Sequence, residues 1–353
     1  MQVEKFPLRR LSFDVLRNVL RMMDGDQLIS YSLISRATKQ NVIDLKIKLR
    51  FFISSISQKL QILLVIPEFY RILLTVDENQ TVNWDPVENG QLKLDKPGIV
   101  DVKCCEDYRQ GYKQSLFLEN RGISVHEWIL HLFDIFHHPM ITSLRFFEGC
   151  NRFDISFIRE TIEGLNVTGS CFVRLTLDNS YKLMMGINKL TKKVMINNDL
   201  EPVEYLHKIL IQNTENATFN SRMLNLEDTI PFRIDDIMAN NSENIHMYCT
   251  ISSDKDLNRF LKLWIKGAKP HLEYLLVGYQ QGVMKDQLVI MKGIRYRVMG
   301  KDERRERPYP KGLEPTPIVA KEGSFLIRRK DGVEATVSFG KGRFMEFVVW
   351  NYL

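Results

Sequence analysis

The side chains that could do chemistry come in three groups. The string "HEWILHLFDIFHH" offers His126, His131, His137 and His138. Metal-binding helices place their ligands at i and i+4, on one face. His126 and His131 are five apart, and the adjacent His137 and His138 point in different directions, so polar-face and helix-end histidines explain all four. Cys104-Cys105 stands before Glu106-Asp107 without a Cys-x-x-Cys, which reads as a partly buried pair rather than a reactive thiol. The run Lys301 to Arg307, with Arg295, Arg297 and Lys311 nearby, is the strongest basic patch and could face an anionic partner. Interleaved Asp302, Glu303 and Glu306 favour a solvated loop instead. No phosphate-loop glycine motif and no Gly-x-Ser-x-Gly occurs, so the sequence assigns no catalytic residue, no cofactor site and no metal site.

The chain has 353 residues, roughly two domains' worth, and is 44% apolar and 26% charged, as folded globular chains are. Lys and Arg exceed Asp and Glu by 49 − 43 = +6, too diffuse to argue for nucleic acid. The opening "MQVEKFPLRR" lacks a secretory pattern. The most apolar run, "LQILLVIPEFYRILL", is interrupted by Pro67 and Glu68 and is short of the ~20 residues of a membrane span. Five cysteines without a framework suit reduced thiols in the cytoplasm or nucleus.

The elements begin with "FPLRRLSFDVLRNVLRMMDGDQLISYSLISRATKQ". Ser12 is placed to cap a helix whose first turn contains Asp14. Phe13, Leu16, Leu20 and Met23 share one face, while Val15, Val19 and Met22 form a second. Together they exceed the ~100° stripe of a one-sided helix. Asp24 to Gln27 has capping-box spacing, and Ser35 can cap a third helix continuing to Val42, Ile43 and Leu45. Three short helices bury little by themselves, so other residues of the chain or a partner must cover the rest.

Beyond them, "IDLKIKLRFFISSISQKLQILLVI" reads as two or more strands and "TVDENQTVNWDPVENGQLKLDKPG" as a turn-rich region. "ISVHEWILHLFDIFHH" is an amphipathic helix stopped by Pro139. Strand signals follow in "ITSLRFFEG", "GLNVTG", "KVMINND", "RMLNLED" and "NIHMYCTIS", and helix signals in "DISFIRETI", "LEPVEYLHKILI" and "IDDIMA". In the clearest unit, Ser253 and Asp256 cap a helix carrying Leu257, Phe260, Leu261, Trp264 and Ile265; Gly267 ends it. Strands recur at ~20–30 residues, a leucine-rich-repeat-like but irregular spacing. "SFLIRRKDGVEATVSF" reads as a hairpin with a type I′ turn at Asp331-Gly332, and "RFMEFVVW" as a closing strand. The expected class is α+β or α/β, with residues 6–50 a three-helix module, 51–119 a strand-rich connection and 120–353 a strand–helix domain.

Leu11-Ser12, Asp14, Leu16, Val19-Leu20, Met23-Asp24, Leu28 and Leu33-Ile34 resemble the F-box, and "FPLRRL" is similar to its entry in nematode families. Ser12 stands where that family has proline, and Thr38 where many members have tryptophan. "SVHEWILHLFDIFHHPMITSLRF", "LNRFLKLWIKGAKPHLEYLLV" and "FLIRRKDGVEATVSF…FMEFVVW" look like the type 2 F-box-associated domain, and with them the resemblance spans most of residues 120–350. It implies a non-enzymatic substrate-recognition subunit of an SCF-type cullin-RING ubiquitin ligase. Pro7, Leu8, Leu11, Ser12, Val15, Leu16, Val19, Leu20, Met23, Leu28, Leu33 and Ile34 would contact a Skp-family adaptor, and through it cullin. A target protein would bind the C-terminal domain, on the loops 148–152, 197–201, 227–231 and 252–256 that follow strands. An adaptor-binding scaffold without a role in degradation is the alternative, and an α/β enzyme a more distant one.

Overall fold

The computed structural model describes residues 8–67, 71–77, 96–105, 115–120, 122–173, 183, 186–187, 191–197, 214–220, 233–250, 252–279, 286–307, 318–320, 322–340 and 344–350. Two compact units divide between Gly169 and Ser170. The fold is α+β.

In unit 1, three short helices lead the chain: α1 (Phe13–Arg21), α2 (Gly25–Ser32) and α3 (Arg36–Ile43). The Asp24 N–H donates to Gln27 Oε1 at 3.1 Å, closing the capping box the spacing predicts, and Ser35 caps α3 as expected, its Oγ accepting the Thr38 N–H at 3.2 Å. Ser12 does occupy the N-cap of α1, but its hydroxyl makes no capping hydrogen bond. Its carbonyl accepts the Leu16 N–H at 2.9 Å and its side chain stays exposed, so the expected side-chain cap is corrected to a backbone one.

Strands β1 (Phe51–Ile56), β2 (Leu60–Val65), β3 (Arg71–Asp77), β4 (Ile99–Cys105) and β5 (Leu116–Glu119) form an antiparallel meander. Alternation decides its inner face: Ile62 pairs with Leu74, Leu74 with Val102, and all three are buried. These strands belong to the core of unit 1, so 51–119 is more than a connection. The turn-rich residues 78–95 lie outside the described residues. Helix α4 (Val125–Ile135) also packs in unit 1, capped by Ser124 and Glu127, and buries Trp128, Ile129 and Leu132. The expected boundary near 120 therefore shifts to 169, because α4 has its partners among the N-terminal helices. After it come β6 (Ser143–Phe146), parallel to β1, and α5 (Ile155–Ile162). "GLNVTG" is a turn rather than a strand: Gly164 takes φ +74°, and Val167 makes a single bridge to Ile141.

Strand β7 (Gly169–Val173) begins on the last residue of unit 1, and unit 2 continues with β8 (Lys193–Asn197), β9 (Asn216–Asn220), β10 (Asn244–Thr250) and β11 (Tyr274–Tyr279). From β8 to β11 the strands are parallel, with Lys193, Asn216, Asn244 and Tyr274 in one register row. The next row, Val194, Ala217, Ile245 and Leu275, is buried throughout. Row positions are 23, 28 and 30 residues apart (216 − 193, 244 − 216, 274 − 244). Helix α6 (Ile234–Ala239) precedes β10, and α7 (Asp254–Ile265) links β10 to β11. "LEPVEYLHKILI" and "RMLNLED" lie outside the described residues, whereas β9 was not expected.

The ladder ends in antiparallel strands rather than in another repeat. Helix α8 (Gln287–Ile290) and the short β12 (Arg297–Val298) and β13 (Arg305–Arg307) come first. Strand β14 (Ile318–Ala320) pairs with β13; β15 (Phe325–Arg328), β16 (Glu334–Gly340) and β17 (Phe344–Trp350) complete the sheet. Its order is β12-β15-β16-β17-β11, so the last strand lies between β16 and β11. The hairpin turn is not type I′, which needs positive φ at both central residues, and here Gly332 alone takes it, at +94°. Arg329 and Val333 close a three-residue loop: the Gly332 N–H donates to Arg329 O, and the Arg329 N–H donates to Val333 O. That is a type I turn followed by a left-handed glycine.

Candidate protein-docking surface

Helix α1 resolves its two apolar faces differently. Leu16 and Leu20 turn inward and are 8% and 1% exposed. The Val15–Val19–Met22 stripe turns outward, with Val15 47% and Met22 86% exposed. Phe13 and Ile34 add two more exposed apolar side chains in the same module. Single exposed apolar residues are ordinary, but four within three short helices are a concentration of the kind found at interaction sites.

The module is held against other parts of unit 1 by contacts that leave this stripe open. The Asp26 N–H at the start of α2 donates to Cys104 Sγ on β4 at 3.2 Å. Ser32 Oγ donates to Ile29 O at 2.6 Å, which uses its only proton, so His131 Nε2–H donates to Ser32 Oγ at 2.8 Å. Lys39 Nζ pairs with Asp134 Oδ2 at 2.6 Å. His137 Nε2 donates to the carbonyl of Ile43, the last residue of α3, at 2.7 Å. Burial pushes the His131 imidazole down to about 4, with the nearby Lys39 charge acting in the same direction and Asp134 opposing it. The remaining histidines are also engaged, His126 Nδ1 with Thr161 O and His138 Nε2 with Thr142 Oγ1. All four imidazoles thus have separate structural partners.

Of the twelve expected contact residues, Leu16, Leu20 and Leu28 are buried. Val15, Ser12 and Ile34 are exposed, and Leu8, Leu11, Val19, Met23 and Leu33 are half-buried; Pro7 lies outside the described residues. Phe13 and Met22 were absent from the expected set, although Met22 continues the Val15–Val19 stripe at i+7. Thr38 is buried and serves the Ser35 capping box.

In unit 2, the basic run is largely neutralised by its own carboxylates. Arg297 pairs with Glu303, Arg304 with Glu306, Arg305 with Glu334 and Arg307 with Glu273. Two of the four expected target loops, 197–201 and 227–231, have none or one of their residues among those described. The other two are occupied structurally: Cys150 is buried in a 3-10 turn after Gly149, and Ser253 with Asp256 caps α7.

Helix α7 is the best-determined element of unit 2. Leu257, Phe260, Leu261 and Trp264 are fully buried; Phe347 of β17 meets the Phe260 and Trp264 rings edge-on at 5.5 and 5.0 Å. The Ala268 N–H donates to Leu263 O and the Gly267 N–H to Trp264 O, a Schellman stop with Gly267 at φ +102°. This helix, α6, β9, β10 and most of β11 fall in residues 205–277, which match the F-box associated family. The chain carries an F-box associated segment. No curated protein and no solved structure matches the chain. The segment supplies the core of the parallel ladder, and its Phe260 and Trp264 are packing residues.

Proposed function

We propose that the chain is the substrate-recognition subunit of an SCF-type cullin-RING ubiquitin ligase, working in the cytoplasm or nucleus. The F-box associated segment at residues 205–277 carries this reading. In it, residues 6–50 act as an F-box, and the exposed Val15–Val19–Met22 stripe with Phe13 and Ile34 docks on a Skp-family adaptor. Unit 2 holds the target. The chain itself contributes proximity rather than chemistry, raising the local concentration of target lysines near the conjugating enzyme.

The test is co-purification with a Skp-family adaptor and cullin. Val15→Glu with Met22→Glu places two charges in a desolvated interface, at several kcal/mol, while disturbing no buried side chain. Adaptor and cullin should be lost with thermal unfolding unchanged. Retention of adaptor by this folded double variant would refute the docking surface. Wild-type chain that binds adaptor without promoting ubiquitination of any co-purified protein would be a scaffold.

A further inference from the structure

One surface of unit 2 is not consumed by the fold. Around α8, β12 and β15 lies a groove of about 520 Å3. Met291 and Ile294 are buried beneath it, and Phe325 lines it, with the Tyr296 ring edge-on to Phe325 at 5.0 Å. The rim is open and mixes polar Asp286, Gln287 and Lys292 with apolar Leu288 and Tyr296, which are 78% and 42% exposed. Val298, two residues beyond Tyr296, is 50% exposed and extends the apolar path along the chain. Small-molecule sites enclose most of their ligand. Walls as exposed as these suit a segment of polypeptide lying across them.

The exposed cations around the groove outnumber its carboxylates, which are the lining Asp286 and Asp254, whose Oδ2 accepts the Asp286 N–H at 3.2 Å. Lys292 lines it, and Lys262 Nζ of α7 lies 3.5 Å from where a Cβ on Gly293, another lining residue, would sit. Lys262, Lys292 and Arg295 are exposed, and among the described residues they take no part in the ion pairs that neutralise Arg297, Arg304 and Arg305. Asp286 caps α8, its Oδ1 accepting the Leu288 N–H at 2.8 Å, and its single charge is set against the three cations.

We infer that this groove binds a short acidic peptide segment of the recruited protein. An apolar side chain seats between Leu288 and Tyr296, and flanking carboxylates face Lys262, Lys292 and Arg295. The inference rests on unit 2 being the target-binding part.

The full chain should be panned against a random peptide library displayed on phage, with Leu288→Asp and Lys292→Glu proteins panned in parallel. Wild type should enrich peptides that combine Leu or an aromatic residue with Asp or Glu. Their affinity should fall about tenfold in Lys292→Glu, which replaces an attraction by a repulsion, and weaken as salt rises from 50 to about 500 mM. Both variants should keep wild-type thermal unfolding and adaptor co-purification. Enrichment of basic or uncharged peptides, peptides insensitive to both variants, or no enrichment would each overturn the groove assignment. Those outcomes leave adaptor binding untouched, whereas a wild-type chain without adaptor would overturn the ligase reading on its own.

Discussion

Acid should loosen unit 1 through His131. Its imidazole is held neutral by burial, with a pKa of about 4 against an ordinary 6.5, and Nε2–H already donates to Ser32 Oγ. Protonation at Nδ1 therefore keeps that hydrogen bond and adds a buried charge between α4 and α2. The folded pKa lies below the unfolded one, so the unfolded chain binds the proton first and stability falls as pH drops below 6.5. Taking 6.5 and 4, the loss relative to pH 7 is about 2 kcal/mol at pH 5 and about 3 kcal/mol at pH 4. Lys39 adds to the penalty and Asp134 relieves part of it. His138, also lowered by burial, contributes in the same direction, so the informative quantity is the difference between wild type and His131→Gln. Glutamine still donates to Ser32 and does not titrate. Glu127, held below its ordinary range by the Ser124 N–H and hydroxyl, loses its contribution as pH falls from the ordinary carboxylate value through its own lowered one, so it adds little between pH 7 and 5. Hydrogen exchange of residues 125–135, corrected for intrinsic rates, reads the effect where it arises. Wild type should lose about 30-fold in protection between pH 7 and 5, the equivalent of 2 kcal/mol, and His131→Gln much less. Equal pH slopes in the two proteins would refute the assignment of the buried proton site.

Three further outcomes are expected. Leu20→Ala removes a fully buried side chain from the helical module and should cost about 3 kcal/mol in urea unfolding; a loss below about 1 kcal/mol would mean that α1 is not docked as described. Gly332→Ala should cost about 1 kcal/mol, because φ is +94° and a Cβ would meet nothing within 4 Å, so backbone strain is the whole penalty. Gly332→Asn should cost less, and equal melting temperatures for wild type and the alanine variant would contradict the left-handed turn. Removing residues 344–350 extracts β17 from between β16 and β11 and takes Phe347 away from Phe260 and Trp264; insoluble or protease-sensitive protein is expected, and unchanged proteolysis would refute the strand order.

Local signals in the chain were enough for the elements that carry their own punctuation. Helix α7 has a capping box, an apolar face and a glycine stop within fifteen residues, and these interactions span at most five positions. The same holds for the caps at Asp24 and Ser35, for α4 with its proline stop, and for the alternating β1 and β2. The double apolar face of α1 was also legible. What periodicity could not say was which face its own chain would cover. Leu16 and Leu20 are buried, while Val15 and Met22 are exposed, and only the folded chain distinguishes the two stripes.

Elsewhere the tertiary structure decided. Strand β9, "NATFN", has only Ala217 and Phe219 as apolar residues, too short a pattern to stand out by itself, and β8 and β10 supply its hydrogen-bond partners on both sides. Asp331-Gly332 looked like a two-residue turn, yet the pairing of Arg328 with Glu334 lengthens the connection and leaves positive φ to the glycine alone. The unit boundary fell at 169 rather than near 120 because α4 is clipped to α2 and α3 by His131, Lys39 and His137, contacts between residues about a hundred positions apart. The basic run was visible in the chain, but its carboxylate partners Glu273 and Glu334 come from the residue before β11 and from the start of β16. Caps and periodicity are written within one or two turns of backbone. Coverage, pairing and charge compensation depend on residues that only the folded chain brings together.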